Sequence, residues 1–463
     1  MEYIENRTFD EIRPGDSARL VRTLKPEDIQ LFAIMSGDVN PAHVDPEYAR
    51  SSQFREVVAH GMWGGALIST VLGTQLPGPG TIYVDQSLHF LRPVGLGDTL
   101  TVTLTATRKF EHNRHILFDC VCTNQDGQKV MDGTAEVLAP TEKIRRPRIV
   151  LPEATLFDRE ARYHKLLERA RGLAPVAMAV AHPCDKESLL GVAEAAGAGL
   201  IVPTLVGPQA KIRAVAEREG IDLAGMALVD VEHSHAAAAE AVRLARAGKV
   251  AALMKGSLHT DELMTEVVSA AGLRSGRRIS HVFLADVPTY PKPLLITDAA
   301  INIEPDLECK ADIVRNAIDL ARVLGIAEPK VAILAAVETV TPKMRATLDA
   351  AALCKMADRG QISGGVLDGP LAFDNAVSLV AAKTKGILSA VAGRADILLV
   401  PDLESGNMLA KQLEYLADAL LTGVVVGARV PIVLTSRADS AATRAASCAI
   451  ALLMAHARRK AAP

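Results

Sequence analysis

The 463-residue sequence lacks the features that mark secreted, membrane-spanning or nucleic-acid-binding proteins. Its six cysteines form no CxxC pair and no metal-finger spacing, which favours a reducing compartment. The 51 Lys and Arg residues against 54 Asp and Glu give a net charge of −3, without the basic excess that nucleic-acid binding needs. No uninterrupted apolar run reaches ~18 residues, and the polar, acidic N-terminus is unlike a signal peptide. We therefore expect a soluble cytoplasmic protein with no membrane or nucleic-acid partner.

Aromatic residues are scarce, and their distribution indicates a domain boundary. Ten of the 16 Phe, Tyr and Trp residues fall within positions 1–150. Residues 140–153, PTEKIRRPRIVLPE, combine three prolines with a cluster of Lys and Arg, as an exposed linker does. We predict a first domain at 1–142, a linker at 143–158 and a second domain at 159–463.

The first domain has the pattern of a long helix against an antiparallel sheet. A helix begins at Pro26, within an acidic first turn, and the apolar stretch His60–Leu76 has the length of a buried helix. Strand-like runs follow at residues 82–91, 99–108, 116–123 and 129–138. The alternation in the second of these runs is typical of a sheet with one buried face. This pattern predicts an α+β domain in which the sheet wraps around a helix.

The second domain alternates short apolar runs with amphipathic helical stretches. The strand-like runs lie at 176–181, 199–206, 250–254, 282–285, 331–335, 397–400 and 431–435, and the helical stretches at 236–247, 310–324, 407–421 and 441–457. This order predicts buried parallel strands in a doubly wound α/β domain of two subdomains, with ligands at the carboxyl ends of strands. No GxGxxG or P-loop motif accompanies it.

The segment 36–46, SGDVNPAHVDP, predicts an irregular turn that carries Asp38 and His43. A carboxylate and a neutral imidazole that share a water molecule are able to perform general acid–base catalysis. Alternatively, Asp38 caps a backbone turn and His43 is a hydrogen-bonded loop residue. The residue types alone leave both interpretations open.

Three motifs resemble the MaoC-like, (R)-specific enoyl-CoA hydratases. They are SGDVNPAHVD, VVAHGMWGGALIS at 57–69 and LPGPGTIYVDQSLHFLRPVGLGDTLTV at 76–102, within a similarity that spans 15–138. The resemblance implies the hot dog fold and the hydration of a trans-2-enoyl-CoA to an (R)-3-hydroxyacyl-CoA, without a metal. It also implies that Asp38 and His43 are the catalytic pair, that Asn40 orients their loop and that Ser69 lies near the acyl pocket. Gly61 would let the thioester carbonyl approach the helix N-terminus, where backbone N–H groups stabilise a developing enolate.

A second group of candidate residues follows the last strand-like run, at Ser436 and Arg437. The planar guanidinium of an arginine at a strand's carboxyl end suits a phosphate, and the N-terminus of the following helix reinforces such a site. The alternative is that Asp439 or Ser440 caps that helix and that Arg437 is a surface arginine.

The region from about residue 160 onwards resembles the phosphate acetyl/butyryltransferases. The similar pieces are LMKG at 253–256, ITDAAINIEP at 296–305, DGPLAFDNA at 368–376, PDLESGN at 401–407 and the Ser436-Arg437 pair, and several follow predicted strands, where they are expected to converge on one cleft. The resemblance implies the reaction of an acyl-CoA with phosphate to give an acyl phosphate and CoA, with Ser436 and Arg437 in the active site. The acetyl branch of the family has a basic aspartate where this sequence has Thr443, so Asp439 is the nearest substitute. Lys255 is either a second phosphate contact or a solvated lysine, and Asn302, Asp374 and Asn407 either line the cleft or stabilise turns.

Together these observations predict a bifunctional acyl-CoA enzyme, hydratase first and phosphotransacylase second. CoA thioesters and phosphate are its expected substrates, and no tightly bound cofactor is expected. Hot dog folds commonly complete their acyl pocket at a subunit interface, so we expect a homo-oligomer, a dimer or larger. Two alternatives remain: the second domain is a non-catalytic acyl-CoA-sensing or oligomerising module, or the first domain only binds acyl groups.

Overall fold

The computed structural model describes residues 2–151, 156, 161–434 and 440–461. The chain divides into two compact units, Met1–Leu156 and Phe157–Pro463. Within the described residues, no helix has both the length and the apolar composition that crossing a bilayer requires.

The first unit contains a five-stranded antiparallel sheet in the order β2-β4-β5-β6-β3. Its strands are β1 (Tyr3–Glu5), β2 (Ser17–Thr23), β3 (Ile82–Phe90), β4 (Thr99–Phe110), β5 (His115–Thr123), β6 (Lys129–Leu138) and β7 (Arg145–Pro147). Its helices are α1 (Pro26–Ser36), α2 (Pro41–Val44), α3 (Pro46–Ser51) and α4 (Gly61–Thr74), with a 3-10 turn at Phe9–Glu11. The four predicted strands and both predicted helices are present, and β2 is a fifth strand that was not predicted.

Helix α4 packs its apolar face against the sheet and forms the core of this unit. Trp63, Ile68 and Val71 are buried on α4, and Val102 and Leu104 are buried on β4. The alternating burial along β4 follows from the period of two in a pleated strand, which directs every second side chain towards the helix. This arrangement is the hot dog fold that the resemblance implied.

Strand β7 lies inside the predicted linker 143–158. It pairs antiparallel with β1, in the register Ile4 with Arg146, so the ordered structure of the first unit continues past residue 142. All three residues of β7 are exposed, in agreement with the polar composition of this segment.

The second unit is built on an eleven-stranded sheet in the order β10-β9-β8-β11-β18-β17-β12-β13-β16-β14-β15. The strands are β8 (Val176–Ala181), β9 (Ile201–Gly207), β10 (Ala227–Asp230), β11 (Ala252–Lys255), β12 (Ser280–Asp286), β13 (Leu294–Thr297), β14 (Lys330–Leu334), β15 (Val366–Leu371), β16 (Ile397–Leu399), β17 (Leu420–Val426) and β18 (Ile432–Val433). The helices are α5 (Ala161–Ala170), α6 (Lys186–Gly197), α7 (Gln209–Glu219), α8 (Ser234–Arg246), α9 (Thr260–Val268), α10 (Leu307–Val323), α11 (Arg345–Asp358), α12 (Phe373–Val377), α13 (Leu379–Thr384), α14 (Leu403–Leu416) and α15 (Ala441–Ala461).

The sheet consists of two parallel groups that run in opposite directions. Strands β10, β9, β8, β11 and β18 are mutually parallel, as are β13, β16, β14 and β15. Strands β17 and β12 separate the groups, and each is antiparallel to both of its neighbours. The carboxyl ends of the two groups therefore point to opposite edges of the sheet.

Two details of the predicted second domain are wrong. The run 282–285 was predicted as a parallel strand, but β12 is antiparallel to both neighbours. The helix predicted at 407–421 ends at Leu416, and the apolar residues that follow form β17. An apolar run without alternation does not reveal strand direction, and it does not separate the end of a helix from the start of a buried strand.

Candidate active sites

Asp38 lies in the turn after α1, as predicted, whereas His43 lies in the short helix α2 rather than in an irregular turn. Gly37 ends α1 in the left-handed conformation at φ 76°, which glycine adopts without steric cost, and the chain then turns through Asp38. The carboxylate of Asp38 accepts a hydrogen bond from the Asn40 backbone N–H at 3.2 Å. The side chain of Asn40 caps α2 by accepting from the Ala42 N–H at 3.1 Å, so Asn40 supports the turn that presents His43.

The tautomer of His43 is set by a backbone carbonyl. Its Nδ1 lies 2.8 Å from the Val58 oxygen, and because a carbonyl only accepts hydrogen bonds, Nδ1 carries the proton. The Nε2 atom of the neutral ring therefore keeps its lone pair. An imidazole held this way is oriented to accept a proton through Nε2.

His60, the residue before α4, lies beside this pair and holds their loop to the helix. Its Nε2 donates to the Asp38 backbone carbonyl at 2.9 Å, and its ring centroid lies 4.1 Å from that of His43. Its Nδ1 is buried and has no hydrogen-bond partner among the described residues. One carboxylate oxygen of Asp38 and one ring nitrogen of each histidine lie within 4.8 Å of one another, a spacing that a single water molecule spans.

A cavity of about 470 Å³ adjoins this cluster. His43, His60 and Gly61 line one part of it, and the rest is mainly apolar, formed by residues such as Phe54, Trp63, Phe90, Leu91, Val94 and Met131. Arg92, which was not predicted, contributes the one guanidinium of the described lining. The cavity thus combines a polar end with space for an acyl chain.

Glycine at the start of α4 is explained by packing. A Cβ atom at Gly61 would lie 3.0 Å from the Phe90 ring, and one at Gly64 would lie 2.9 Å from the Met131 methyl group. Both distances are shorter than ordinary carbon contacts, so these glycines let β3 and β6 approach the helix. Ser69 lies on the exposed face of α4 and is not among the residues that line the cavity in the single chain.

In the second unit, Lys255 marks the carboxyl edge of the first parallel group. It is the last residue of β11 and is only 4% exposed, so the interpretation as a solvated lysine is wrong. Met254 pairs with Val433 of β18. The segment 435–439, which begins two residues after Val433, contains Ser436, Arg437 and Asp439 and lies outside the described residues. Ser440 directly precedes α15, and its Oγ accepts a hydrogen bond from the Thr443 N–H at 3.1 Å.

Further polar residues at this edge were not predicted. Ser257 Oγ donates to the His182 carbonyl at 2.8 Å and lies 3.0 Å from His182 Nδ1. Burial is the largest cause that lowers the pKa of His182, followed by the charge of Lys211. Arg444 is 2% exposed and its stem packs on Gly191, where a Cβ atom would lie 2.7 Å from two of its carbons.

Asn302 and Asn407 lie instead at the carboxyl edge of the other parallel group. The buried carboxylate of Asp298 accepts from three backbone N–H groups and from Asn302 Nδ2, and Asn407 Nδ2 donates to the Ala299 carbonyl at 3.2 Å. Burial raises the pKa of Asp298, and these donors oppose that rise. Asp374 is exposed, and its Oδ2 lies 3.4 Å from Lys385 Nζ. Because the two groups of strands run in opposite directions, Lys255 and these residues follow strands that end at different edges of the sheet, and convergence on one cleft stays a prediction.

Comparison with known proteins agrees with the two-unit division. Residues 12–120 match the family described as MaoC like domain, and residues 235–452 match Phosphate acetyl/butaryl transferase. A phosphate acetyltransferase of Rhizobium meliloti is 64% identical over 303 residues, which cover 65% of this chain and 96% of that protein. A branched-chain phosphotransacylase structure from Enterococcus faecalis is 30% identical over 61% of this chain and 99% of its own, with a TM-score of 0.54. An unliganded R-hydratase from Pseudomonas aeruginosa is 43% identical over 34% of this chain and 100% of its own, with a TM-score of 0.33.

Proposed function

We propose, from the premise that this chain belongs to the phosphate acetyl/butyryltransferase family and carries a MaoC-like domain, that it catalyses two reactions of acyl-CoA thioesters. The first unit hydrates a trans-2-enoyl-CoA to a 3-hydroxyacyl-CoA of (R) configuration. The second unit exchanges acyl groups between CoA and inorganic phosphate. Neither reaction as proposed uses a tightly bound cofactor.

The observation that carries the hydratase proposal is that a ring nitrogen of His43 lies within 4.8 Å of an Asp38 carboxylate oxygen, and that His43 also lines the polar end of a mainly apolar cavity. A water molecule bound there loses one proton to this pair as its oxygen bonds to C3 of the enoyl group. The electron pair of the double bond moves towards the thioester carbonyl, and a proton returned by the pair completes the new C–H bond at C2. The N-terminus of α4 faces the same cavity, where its backbone N–H groups stabilise the enolate oxygen.

The lining of the cavity supports an acyl-CoA as the substrate. Phe54, Trp63 and Leu91 provide an apolar surface for a short acyl chain. Arg92 is exposed at the rim, with Nη1 2.6 Å from the Lys129 carbonyl, and its guanidinium suits a phosphate of CoA. We expect Arg92→Ala to raise KM for the enoyl-CoA about tenfold with little change in kcat, because a contact far from C3 contributes similarly before and during the reaction.

Hydration of crotonyl-CoA by the purified full-length chain tests this function. Chiral analysis of the product is expected to give the (R) alcohol, and His43→Gln is expected to lower turnover by at least about 100-fold. The matched control is His89→Gln, which removes an exposed histidine of β3 in the same unit. Absence of hydration by a folded parent protein would refute the proposal and favour an acyl-binding role for the first unit.

The observation that supports the phosphotransacylase proposal is the 64% identity to a phosphate acetyltransferase over 96% of that protein. We propose that Arg437 holds the phosphate and that Ser436 donates a hydrogen bond near the thioester. Lys255 is the proposed second positive charge for the phosphate, and Asp439 is the proposed base for CoA in the reverse direction. Phosphate attacks the thioester carbonyl directly, and the sulfur leaves as the thiolate of CoA. Such a reaction requires positioning and charge stabilisation rather than a covalent enzyme intermediate.

Phosphate-dependent release of free thiol from acetyl-CoA and butyryl-CoA tests the second activity. Arg437→Ala is expected to lower the rate by at least about 100-fold, and Arg437→Lys to restore little of it, because lysine keeps the charge but not the planar fork. Arg359→Ala, an exposed arginine of the same unit, is the matched control. Tight acetyl-CoA binding without phosphate-dependent thiol release would overturn the proposal in favour of a sensing domain.

We also propose a homo-oligomer joined through the first unit. Strand β3 is an edge of the sheet, and Ile82 and Val84 on it are 58% and 48% exposed. Exposed apolar edge strands favour pairing with another chain. Sedimentation equilibrium of the parent and of Val84→Lys tests this: the parent is expected to be at least a dimer, and a monomeric parent would contradict the proposal.

A further inference from the structure

A second large cavity, of about 870 Å³, lies in the second unit at the carboxyl end of β17. Helices α10 and α15 form two of its walls, and the loop before β12 forms a third. Its described lining holds four arginines and one carboxylate. These residues are Arg277, Arg322, Arg429, Arg458 and Asp319.

The positive charges of this cavity are not balanced by its own carboxylate. Asp319 is paired with Arg277, whose Nη1 lies 2.6 Å from a carboxylate oxygen. The other three arginines therefore leave an excess of positive charge on the described lining. Such an excess within a concave surface attracts a polyanion.

Arg458 is the most deeply placed of these arginines. Its Nη1 is buried and has no hydrogen-bond partner among the described residues. Burial lowers the pKa of its guanidinium, and the charge of Asp319 opposes that change. A buried guanidinium nitrogen without an acceptor is costly, so an anionic ligand that supplied one would gain an unusually favourable contact.

The wall beside the arginines is apolar. Val323 of α10 is partly exposed in the cavity, and Leu320 of α10 and Met454 of α15 lie buried in the same wall. An inorganic anion would leave the exposed part of this wall in contact with water. A ligand with an aromatic or aliphatic body would cover it, and the volume is within the range of known small-molecule sites.

We infer that this cavity binds a phosphorylated organic ligand of the nucleotide class. Its phosphates contact Arg458 and the arginines of the rim, and its base packs on the wall formed by α10 and α15. The cavity is separate from the edge that carries Lys255. Strand β17 is antiparallel to β18, so its carboxyl end lies at the opposite edge of the sheet from that of β18. Binding here is therefore expected to be independent of the acyl-transfer residues.

Calorimetric titration of the full-length chain tests the inference with three probes: ADP, inorganic phosphate and adenosine. ADP is expected to bind more tightly than phosphate and much more tightly than adenosine. Arg458→Ala is expected to weaken ADP binding by about tenfold or more, as loss of a charged hydrogen bond does. Asp319→Asn is expected to tighten it about threefold, because it removes the one carboxylate of the described lining. Arg359→Ala should leave it unchanged.

Two further measurements keep the result interpretable. Arg458→Gln keeps a polar side chain with part of the aliphatic stem but removes the charge, and thermal unfolding of both Arg458 variants shows whether the fold is preserved. The KM for acyl-CoA is expected to be the same in parent and Arg458→Ala. Equal binding of phosphate and ADP would overturn the nucleotide assignment, and unchanged ADP binding in both Arg458 variants would overturn the site. A rise in KM for acyl-CoA that parallels the loss of ADP binding would show that the cavity belongs to the substrate site and would overturn its independence.

Discussion

The Val58 carbonyl oxygen lies 2.8 Å from His43 Nδ1, and this contact determines which ring nitrogen is available for chemistry. Val58 is 15 residues from His43 in sequence, in the stretch that leads into α4. This hydrogen bond therefore joins α2 to the stretch that leads into α4, and a second one joins His60 to the Asp38 carbonyl.

The first prediction concerns the joint action of Asp38 and His43. Asp38→Asn and His43→Gln are each expected to lower kcat for hydration by about 100- to 10,000-fold, because each removes one of the two side chains that together take the proton from the water molecule. The double variant should be little slower than the slower single variant, because residues that act as a unit are not additive. Multiplicative losses in the double variant would show that the two groups act in separate steps.

The second prediction concerns His60. His60→Phe is expected to keep the ring packing against Phe32 and His43 while it removes the hydrogen bond to the Asp38 carbonyl. The unpaired carbonyl should cost about 1–3 kcal/mol in the free energy of unfolding of the first unit. If Nδ1 also contacts the reacting water, kcat will fall at constant KM. An unchanged kcat in a folded variant would assign His60 to structure alone.

The third prediction concerns the glycine at the start of α4. Gly61→Ala places a methyl group 3.0 Å from the Phe90 ring, so it should displace that ring and raise KM for the enoyl-CoA. Phe90→Leu in the same chain should relieve the contact and recover most of the loss. A loss that Phe90→Leu does not relieve would point instead to direct interference with the substrate at the helix N-terminus.

The fourth prediction concerns stability at acid pH. His281 is 1% exposed, and burial lowers the pKa of its imidazole to about 3. Between about pH 6.5 and pH 3 the unfolded chain therefore binds a proton at this residue that the folded chain does not, so folding stability falls as pH falls. At pH 5 this residue is expected to lower the free energy of unfolding by about 2 kcal/mol relative to neutral pH.

His281→Leu tests this prediction, because it removes the titrating group from the same buried position. The decrease in unfolding temperature between pH 7 and pH 5 should be smaller in His281→Leu than in the parent. Exposed His89 provides the control, since His89→Leu should leave that decrease unchanged. An equal decrease in parent and His281→Leu would contradict the assignment.

Much of the first unit was predictable because its signals are local. The alternation in β4 and the apolar length of α4 follow directly from residue periodicity. The hydrogen-bond partner of His60 was not predictable in the same way, because it is the backbone carbonyl of Asp38, 22 residues earlier. No local pattern encodes such a contact.

The second unit shows a different limit. Buried strands such as β8 and β14 were predicted from their apolar runs, but β13 and β17 were not, because short apolar runs beside loops and helices resemble their surroundings. The reversal of direction at β17 and β12 depends on pairing between distant segments. That reversal separates Lys255 from Asn302 and Asn407, so the grouping of the candidate residues was less predictable than their positions at strand ends.

The position of β18 has a consequence for how the protein is made. Its two residues, Ile432 and Val433, pair with β11 on one side and β17 on the other, so they join β11 of the first parallel group to β17. During translation β11 emerges well before β18 and remains an unpaired edge on that side until Ile432 and Val433 have left the ribosome. Unpaired edges of this kind are prone to association with other chains. The nascent second unit is therefore expected to depend on chaperones until its last strand is synthesised, whereas the first unit has all its strands by residue 147.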